Sequence, residues 1–352
     1  MTVTASHMSS SIAVVEMSGV GEARRFAITL AEAHGFSEQA TGRVALIVTE
    51  AASNMVQHGG GGEILLRAWS SGPRDCCLEV LALDKGPGMA NVAACMRDGF
   101  STGGSRGVGL GAIARLSTSF DIFSTPANGT ALLARVGARS TRSATGPGLE
   151  WGAVCVAKRE EVVSGDAWAV QERSGVSTVL VVDGLGHGPA AHDVARRALQ
   201  TFEHDEETGP ERLLRKLDAD LRGTRGAAVA VAELDWNSRT LCFAGVGNIA
   251  GTLLSPDARS RSLVSHNGTA GQAIEHLQEF SYPWPVGALM VLHSDGLSPQ
   301  WELDAYPGLS PKSPSLIAAV LYRDFVRRRD DVVVVVVRER APGRGVLPGD
   351  PS

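Results

Sequence analysis

Aspartates recur in this sequence where apolar runs end. Val179-Leu-Val-Val runs into Asp183-Gly184, and Leu289-Met-Val-Leu-His-Ser runs into Asp295-Gly296. Asp330-Asp331 precedes the run Val332 to Val337, and Asp166 follows Ser164-Gly165. A single Asp-Gly after a strand is ordinary turn chemistry. Four such places, with no Lys or Arg beside either Asp-Gly, are harder to read as turns alone. If a fold brings these like charges together they repel, and the cluster needs cations. Oxygen-only donors suit Mg²⁺ or Mn²⁺ better than zinc or copper. Two such ions about 4 Å apart could deprotonate a bridging water for in-line attack on phosphorus.

The first half carries a different set. Glu50 and Asn54 are four apart in an apolar-periodic stretch, hence on one helix face at the border of its apolar stripe. A carboxylate and an amide oxygen there could hold Mg²⁺ and activate a hydroxyl, though such a pair is also ordinary solvated surface. Leu78 to Leu83 runs into Asp84, with Gly86 and Gly88 following. That Asp could accept a hydrogen bond from an adenine amino group where glycines admit close approach, or it could simply make a turn. From Ser101 to Gly111 the chain reads STGGSRGVGLG and opens a helix. Exposed N–H groups at a helix N-terminus make a phosphate cradle. The absence of GxxxxGK[ST] rules out the usual P-loop.

These residues need elements to hold them. Ser37 to Gln57 reads as a helix capped by Ser37, with Val44, Ile47, Val48, Ala51 and Met55 at helical spacing. Gly109 to Leu116 reads as a second helix, and Leu78–Leu83 and Thr130–Val136 as strands. Further on, strands are expected at Val179–Val182, Ala227–Ala232, Leu289–Leu292 and Val332–Val337. Helices are expected at Ala190–Phe202, Glu211–Leu221 and Pro314–Val326. Between the two sets lies GARSTRSATGPGL, from Gly137 to Leu149, which has linker composition. The organisation expected is therefore residues 12–137, a linker at 138–149, a second domain at 150–340, and a Pro/Gly-rich disordered tail at 341–352.

Composition narrows the function classes. The 352 residues suffice for two cores, and 43% hydrophobic with 20% charged residues is globular. No apolar run approaches a membrane span, and no secretory signal pattern opens the chain. Five scattered cysteines with no CxxC fit reduced thiols and a cytoplasmic setting. The adjacent Cys76 and Cys77 admit a redox role or simple packing. Lys and Arg number 33 against 38 Asp and Glu, which argues against nucleic acid as a partner. Residues 1–140 hold 11 of each sign, so the acidic excess lies with the aspartate set.

In order, EAASN, DKGPGM, STGGSRGVGLG and Asn128-Gly129-Thr130 resemble the motifs of the GHKL ATPase superfamily, most closely its bacterial anti-sigma and switch serine kinases. The resemblance implies Glu50 as base, Asn54 as Mg²⁺ ligand and Asp84 as adenine reader. It places Gly86, Gly88, Gly103, Gly104, Gly107, Gly109, Leu110, Gly111 and Thr130 around ATP. The second half, with GD, VDGLGHG, GVGN, SDG and DD in order over Trp151–Arg338, resembles the SpoIIE branch of the metal-dependent Ser/Thr phosphatases (PPM). That resemblance implies Asp183 bridging two Mn²⁺ or Mg²⁺ ions, with the Gly184 carbonyl, Asp166, Asp295 and Asp330 completing the site. Gly245 to Asn248 would shape its floor. His187 either assists proton transfer or fills the turn. No basic residue occupies the first strand, where eukaryotic members hold phosphate, so the phosphate would rest mostly on the metals.

The fold class implied is α+β, an N-terminal GHKL (Bergerat) α/β sandwich followed by a PPM-type β-sandwich flanked by helices. Both families act on a serine of STAS-domain anti-anti-sigma proteins, in switches that also involve a sigma factor or another switch protein. A bifunctional regulator of stress transcription is the leading expectation, with no nucleic acid or membrane as partner. The alternative is a phosphatase governed by a non-catalytic ATP- or partner-binding module.

Overall fold

The computed structural model describes residues 2–340 apart from 6–7, 71–75, 97–108, 138–147, 174, 206–208, 258–259, 273 and 275. Its first half contains β2 (Ser10–Val14), α1 (Met17–Ala33), α2 (Glu38–His58), β3 (Gly62–Ser70), β4 (Cys76–Asp84), the short α3 (Val92–Cys95), α4 (Gly109–Leu116), β5 (Ser119–Ser124) and β6 (Thr130–Gly137). Before them, β1 (Thr2–Ala5) joins a sheet of the second half, pairing antiparallel with β8 (Asp166–Arg173). The second half continues with β7 (Leu149–Val156), β9 (Val176–Gly184), α5 (Pro189–Glu203), α6 (Pro210–Asp220), β10 (Ala227–Asp235), β11 (Thr240–Val246) and β12 (Ala250–Leu254). It ends with β13 (Ser260–Leu263), β14 (Phe280–Pro283), β15 (Leu289–His293), α7 (Pro314–Phe325) and β16 (Val332–Glu339).

Among the described residues three antiparallel sheets result, in the orders β2-β3-β4-β6-β5, β1-β8-β9-β10-β11-β14 and β13-β12-β15-β16-β7. Helices α1, α2 and α4 cover one face of the first sheet, where Val44, Ile47, Val48, Ala51 and Met55 are all buried. Ser37 caps α2 by accepting the Ala40 N–H. The second and third sheets pack face to face over Trp168, Val179, Val181, Phe243, Met290, Val333 and Val335. Outside the six-stranded sheet lie α5 and α6, held by Val194, Ala198, Phe202, Leu214 and Leu217.

Helix α7 joins the halves. Every residue from Pro314 to Arg323 is buried, the signature of a helix apolar all round and covered on every side. One side meets Val154, Val334 and Val336, and the other meets Leu65, Leu81, Leu83 and Leu133 of the first sheet. Two-sided cover also explains why β4 and β16 read as nearly unbroken apolar runs rather than alternating ones. Polar groups register the contact. Glu63 accepts from Tyr322 at 2.8 Å and pairs with Arg328 at 3.1 Å. Asp121 holds Lys312 at 3.0 Å and the Ser313 N–H at 2.9 Å. Arg135, which pairs with buried Glu79, also donates to Ser315 at 2.8 Å. The Arg67 and Arg135 charges outweigh burial and hold the Glu79 carboxyl below its usual range.

Candidate nucleotide and metal sites

In the first half, Glu50 and Asn54 sit on successive turns of α2 at the wall of a cavity of about 870 Å³. Asp84, Gly88, Gly109, Leu110 and Thr130 line the same cavity. Asp84 ends β4, and its Oδ1 accepts the N–H groups of Gly86 at 2.9 Å and Thr130 at 3.1 Å. Burial raises its carboxyl above the usual range, against those two bonds. Gly88 has φ +67°, and a Cβ there would stand 2.0 Å from the Thr125 carbonyl oxygen. Only glycine fits such a place. At Gly109, a Cβ would stand 3.2 to 3.3 Å from the Asn54 amide and a Glu50 carboxylate oxygen. Its missing side chain therefore lets the start of α4 lie against that pair.

The expected set is thus assembled in part. Glu50, Asn54, Asp84, Gly88, Gly109, Leu110 and Thr130 share one cavity. Gly86 shapes the turn behind Asp84, and Gly111 is buried within α4. Gly103, Gly104 and Gly107 lie outside the described residues.

In the second half, β8 and β9 place Asp166 directly opposite Asp183. The loop after β15 supplies Asp295, and the residues before β16 supply Asp330 and Asp331. Burial and the Asp183 charge push the Asp166 carboxyl well above its usual range. Burial, then the charges of Asp295, Asp330 and Asp331, raise Asp183 to about 7. These carboxylates therefore feel one another, although no three acidic, His or Cys side chains among the described residues converge as a ready-made cation cage. Several of them accept hydrogen bonds from neighbouring groups. Ser294 donates to Asp166 at 2.6 Å, and Asn248 to Asp295 at 2.8 Å. Asp331 takes the N–H groups of Lys158 and Gly165, both at 2.7 Å. An all-oxygen set with Asp166 buried and Asp295 and Asp330 exposed suits hard divalent cations at an open site.

Ser294 acts here as a support that residue type alone did not single out, and Asp331, picked out with the aspartate set, serves as a backbone anchor. Each adjoins an expected ligand, and the GVGN segment that supplies Asn248 was legible as part of the floor. His187 pairs with Glu161 at 2.7 Å at the exposed rim of the turn.

Residues 15–136 match the family model described as histidine kinase-like ATPase domain, and residues 174–340 match that of stage II sporulation protein E (SpoIIE). Over 112 residues the chain is 31% identical to the serine/threonine-protein kinase RsbT of Bacillus subtilis (strain 168), covering 32% of this chain and 84% of RsbT. It is 21% identical over 141 residues to the phosphoserine phosphatase RsbX of the same organism, covering 40% of this chain and 71% of RsbX. Among solved structures, one from work on "The bacterial stressosome: a modular system that has been adapted to control secondary messenger signaling" is 30% identical. It has a TM-score of 0.51 and covers 54% of this chain and 100% of that one. RsbX in complex with magnesium shares the fold at 19% identity, with a TM-score of 0.50 over 55% of this chain and 96% of that one. The chain belongs to the histidine kinase-like ATPase family, alongside RsbT, and its second half is a SpoIIE-type, metal-dependent serine/threonine phosphatase domain.

Proposed function

We propose that this protein is a bifunctional partner-switching regulator. Its first half transfers phosphate from Mg²⁺·ATP to a serine of a STAS-domain anti-anti-sigma protein, and its second half removes phosphate from the same or a related protein. The observation that carries this reading is one chain holding both a nucleotide-sized cavity walled by Glu50 and Asn54 and a separate cluster of mutually repelling aspartates. In the cavity, Asn54 holds Mg²⁺, Asp84 receives the adenine amino group, and Glu50 takes the proton of the attacking serine hydroxyl. Gly88, Gly109, Leu110 and Thr130 border the nucleotide. In the second half, Asp166, Asp183, Asp295, Asp330 and the Gly184 carbonyl hold two Mn²⁺ or Mg²⁺. When bound, such ions supply an activated water. Among the described residues no helix is long and apolar enough to cross a membrane, and a cytoplasmic place beside a sigma-factor switch fits this chemistry.

The test uses the full chain with a STAS-domain protein encoded near its gene. ATP and Mg²⁺ should label that partner on serine, and Mn²⁺ should then release the label. Absence of both transfer and release would sink the proposal.

A second reading has its own support: the nucleotide half also gates the phosphatase. Arg323 of α7 donates to the Asp84 backbone carbonyl at 3.2 Å, so the strand end that receives adenine is held from the second half. At the end of α7, the Phe325 carbonyl accepts the Ser298 N–H at 2.9 Å, and the Arg327 N–H reaches the Gly296 carbonyl at 2.9 Å. Gly296 follows Asp295, and Asp330 lies three residues beyond Arg327. One helix thus touches both sites.

A further inference from the structure

The cations around the aspartate cluster are unevenly committed. Arg328 is taken by Glu63. Arg225 is different. It is exposed, its carbonyl alone is engaged, by Gln272, and no carboxylate among the described residues pairs with its guanidinium. The following Gly226 accepts the Leu185 N–H at 3.0 Å, which ties this loop to the turn leaving Asp183. So close is the guanidinium to that turn that a methyl group on Gly186 would stand 3.1 Å from its Nη1. Beyond it a groove of about 710 Å³ runs between α5 and residues 223–225, lined also by Asp193, Arg196, Arg197 and Gln200. Asp193 and Arg196 pair with each other at 3.4 Å, which among the described residues leaves Arg197 and Arg225 as the groove's uncompensated charge. Helix α5 starts at the same turn and adds the weak positive end of its dipole.

We infer that Arg225 binds the substrate's phosphate at the phosphatase site, and that the groove beside it takes acidic residues flanking the phosphoserine. A guanidinium offers a planar fork of donors that fits phosphate oxygens two at a time. It supplies from the loop before β10 the cation missing from the first strand. Arg197, about two helical turns into α5 from the turn leaving Asp183, is placed for a flanking carboxylate rather than the phosphate itself. The inference rests on the phosphatase reading of the second half.

The experiment uses the full chain with Mn²⁺, p-nitrophenyl phosphate, and two phosphoserine peptides that differ only in acidic or neutral flanks. Arg225→Ala should raise KM at least tenfold for all three substrates while kcat changes less. It should also weaken inhibition by inorganic phosphate to the same extent, and Arg225→Lys should recover part of both. Arg197→Ala should raise KM for the acidic peptide alone. Arg159→Ala and Arg329→Ala, exposed cations near the same cluster, should leave the p-nitrophenyl phosphate KM within twofold. A KM within twofold of wild type for Arg225→Ala, at unchanged melting temperature, overturns the inference and leaves the phosphatase reading standing. Equal losses in the Arg159 or Arg329 variant also overturn it, and an inactive wild type overturns both.

Discussion

Arg323→Met separates the gating reading from mere proximity. The substitution keeps an apolar stem in a buried slot and removes a guanidinium that is 4% exposed. Lost with it are the bond to the Asp84 carbonyl at 3.2 Å and two to Asp324 at 3.0 and 2.8 Å. A bond from a charged donor to a buried carbonyl contributes about 1.5–3 kcal/mol. Asp324 is 19% exposed and keeps Lys85 at 3.6 Å, so its loss is smaller, about 1 kcal/mol or less. Because Asp324 lies on α7 itself, the contact between α7 and β4 should weaken by the first amount only, roughly 1.5–3 kcal/mol. If nucleotide occupancy reaches the phosphatase through this contact, wild type should change its Mn²⁺-dependent turnover of p-nitrophenyl phosphate when a non-hydrolysable ATP analogue saturates it. The usual coupling of 1–3 kcal/mol predicts a change of about 5- to 150-fold. Free Mn²⁺ must be held constant, because nucleotides chelate it. In Arg323→Met the response should fall below about twofold, since the lost contact is as large as the coupling it would carry. Because equilibrium coupling is reciprocal, nucleotide affinity should lose the same dependence on Mn²⁺ occupancy. A full nucleotide response in Arg323→Met, with the analogue still bound, would refute the route through α7. No response in wild type would refute gating altogether.

Three other outcomes follow from the site geometry. Glu50→Gln should cut phosphoryl transfer by about 10²–10⁴, the usual share of a general base, while titration shows ATP affinity little changed; undiminished transfer would exclude Glu50 as base. Gly88→Ala forces a side chain to φ +67° and against the Thr125 oxygen, which should cost about 1–3 kcal/mol in denaturant unfolding and abolish nucleotide binding. Metal-free protein should lose stability as pH rises from about 4 to about 7. Asp183 is raised to about 7, so the folded state binds more protons than the unfolded state across that window, and stability falls with pH. Mn²⁺ should reverse the loss above pH 7. Asp183→Asn should flatten the metal-free melting curve against pH and also lose phosphatase activity, so a variant still active with Mn²⁺ would refute the metal assignment.

Local chemistry was legible in the sequence and long-range placement was not. The Ser37 cap, the stripe from Val44 to Met55 and the glycine-opened α4 depend on neighbours within a turn or two, and the structure reproduces each nearly to the residue. The Asp-bearing strand ends also carry their meaning locally, because an apolar run that stops at Asp-Gly marks where a strand meets solvent. What spacing could not convey is which carboxylate meets which donor. Ser294 on Asp166 spans 128 positions, and Tyr322 on Glu63 spans 259. Residue type gave no hint of Arg225 either, since an exposed arginine in a loop reads as solvated surface until the turn it touches is known. The runs in β4, α7 and β16 did hold a clue to layering. Strands without alternation and a helix without a polar face require cover on both sides, and the structure supplies it by stacking them on one another.

On the proposed bifunctional reading, that stacking bears on why a transferase and a hydrolase of opposite effect would share a chain. A flexible tether alone would leave both active together and consume ATP in a futile cycle on one serine. A buried helix clamped by Asp121 at one end, and by Asp84 and Glu63 towards the other, makes the halves a continuous core rather than two bodies on a string. Its last turn leads directly into the segment bearing Asp330, with the Arg327 N–H fixed to Gly296 beside Asp295. A shift of β4 on nucleotide binding would bear on α7 through Arg323, and at the far end of α7 lie the exposed carboxylates of Asp295 and Asp330. Because cation affinity depends on ligand charge and site rigidity, a displacement there would change metal affinity, which is how the proposed gating would set one activity against the other.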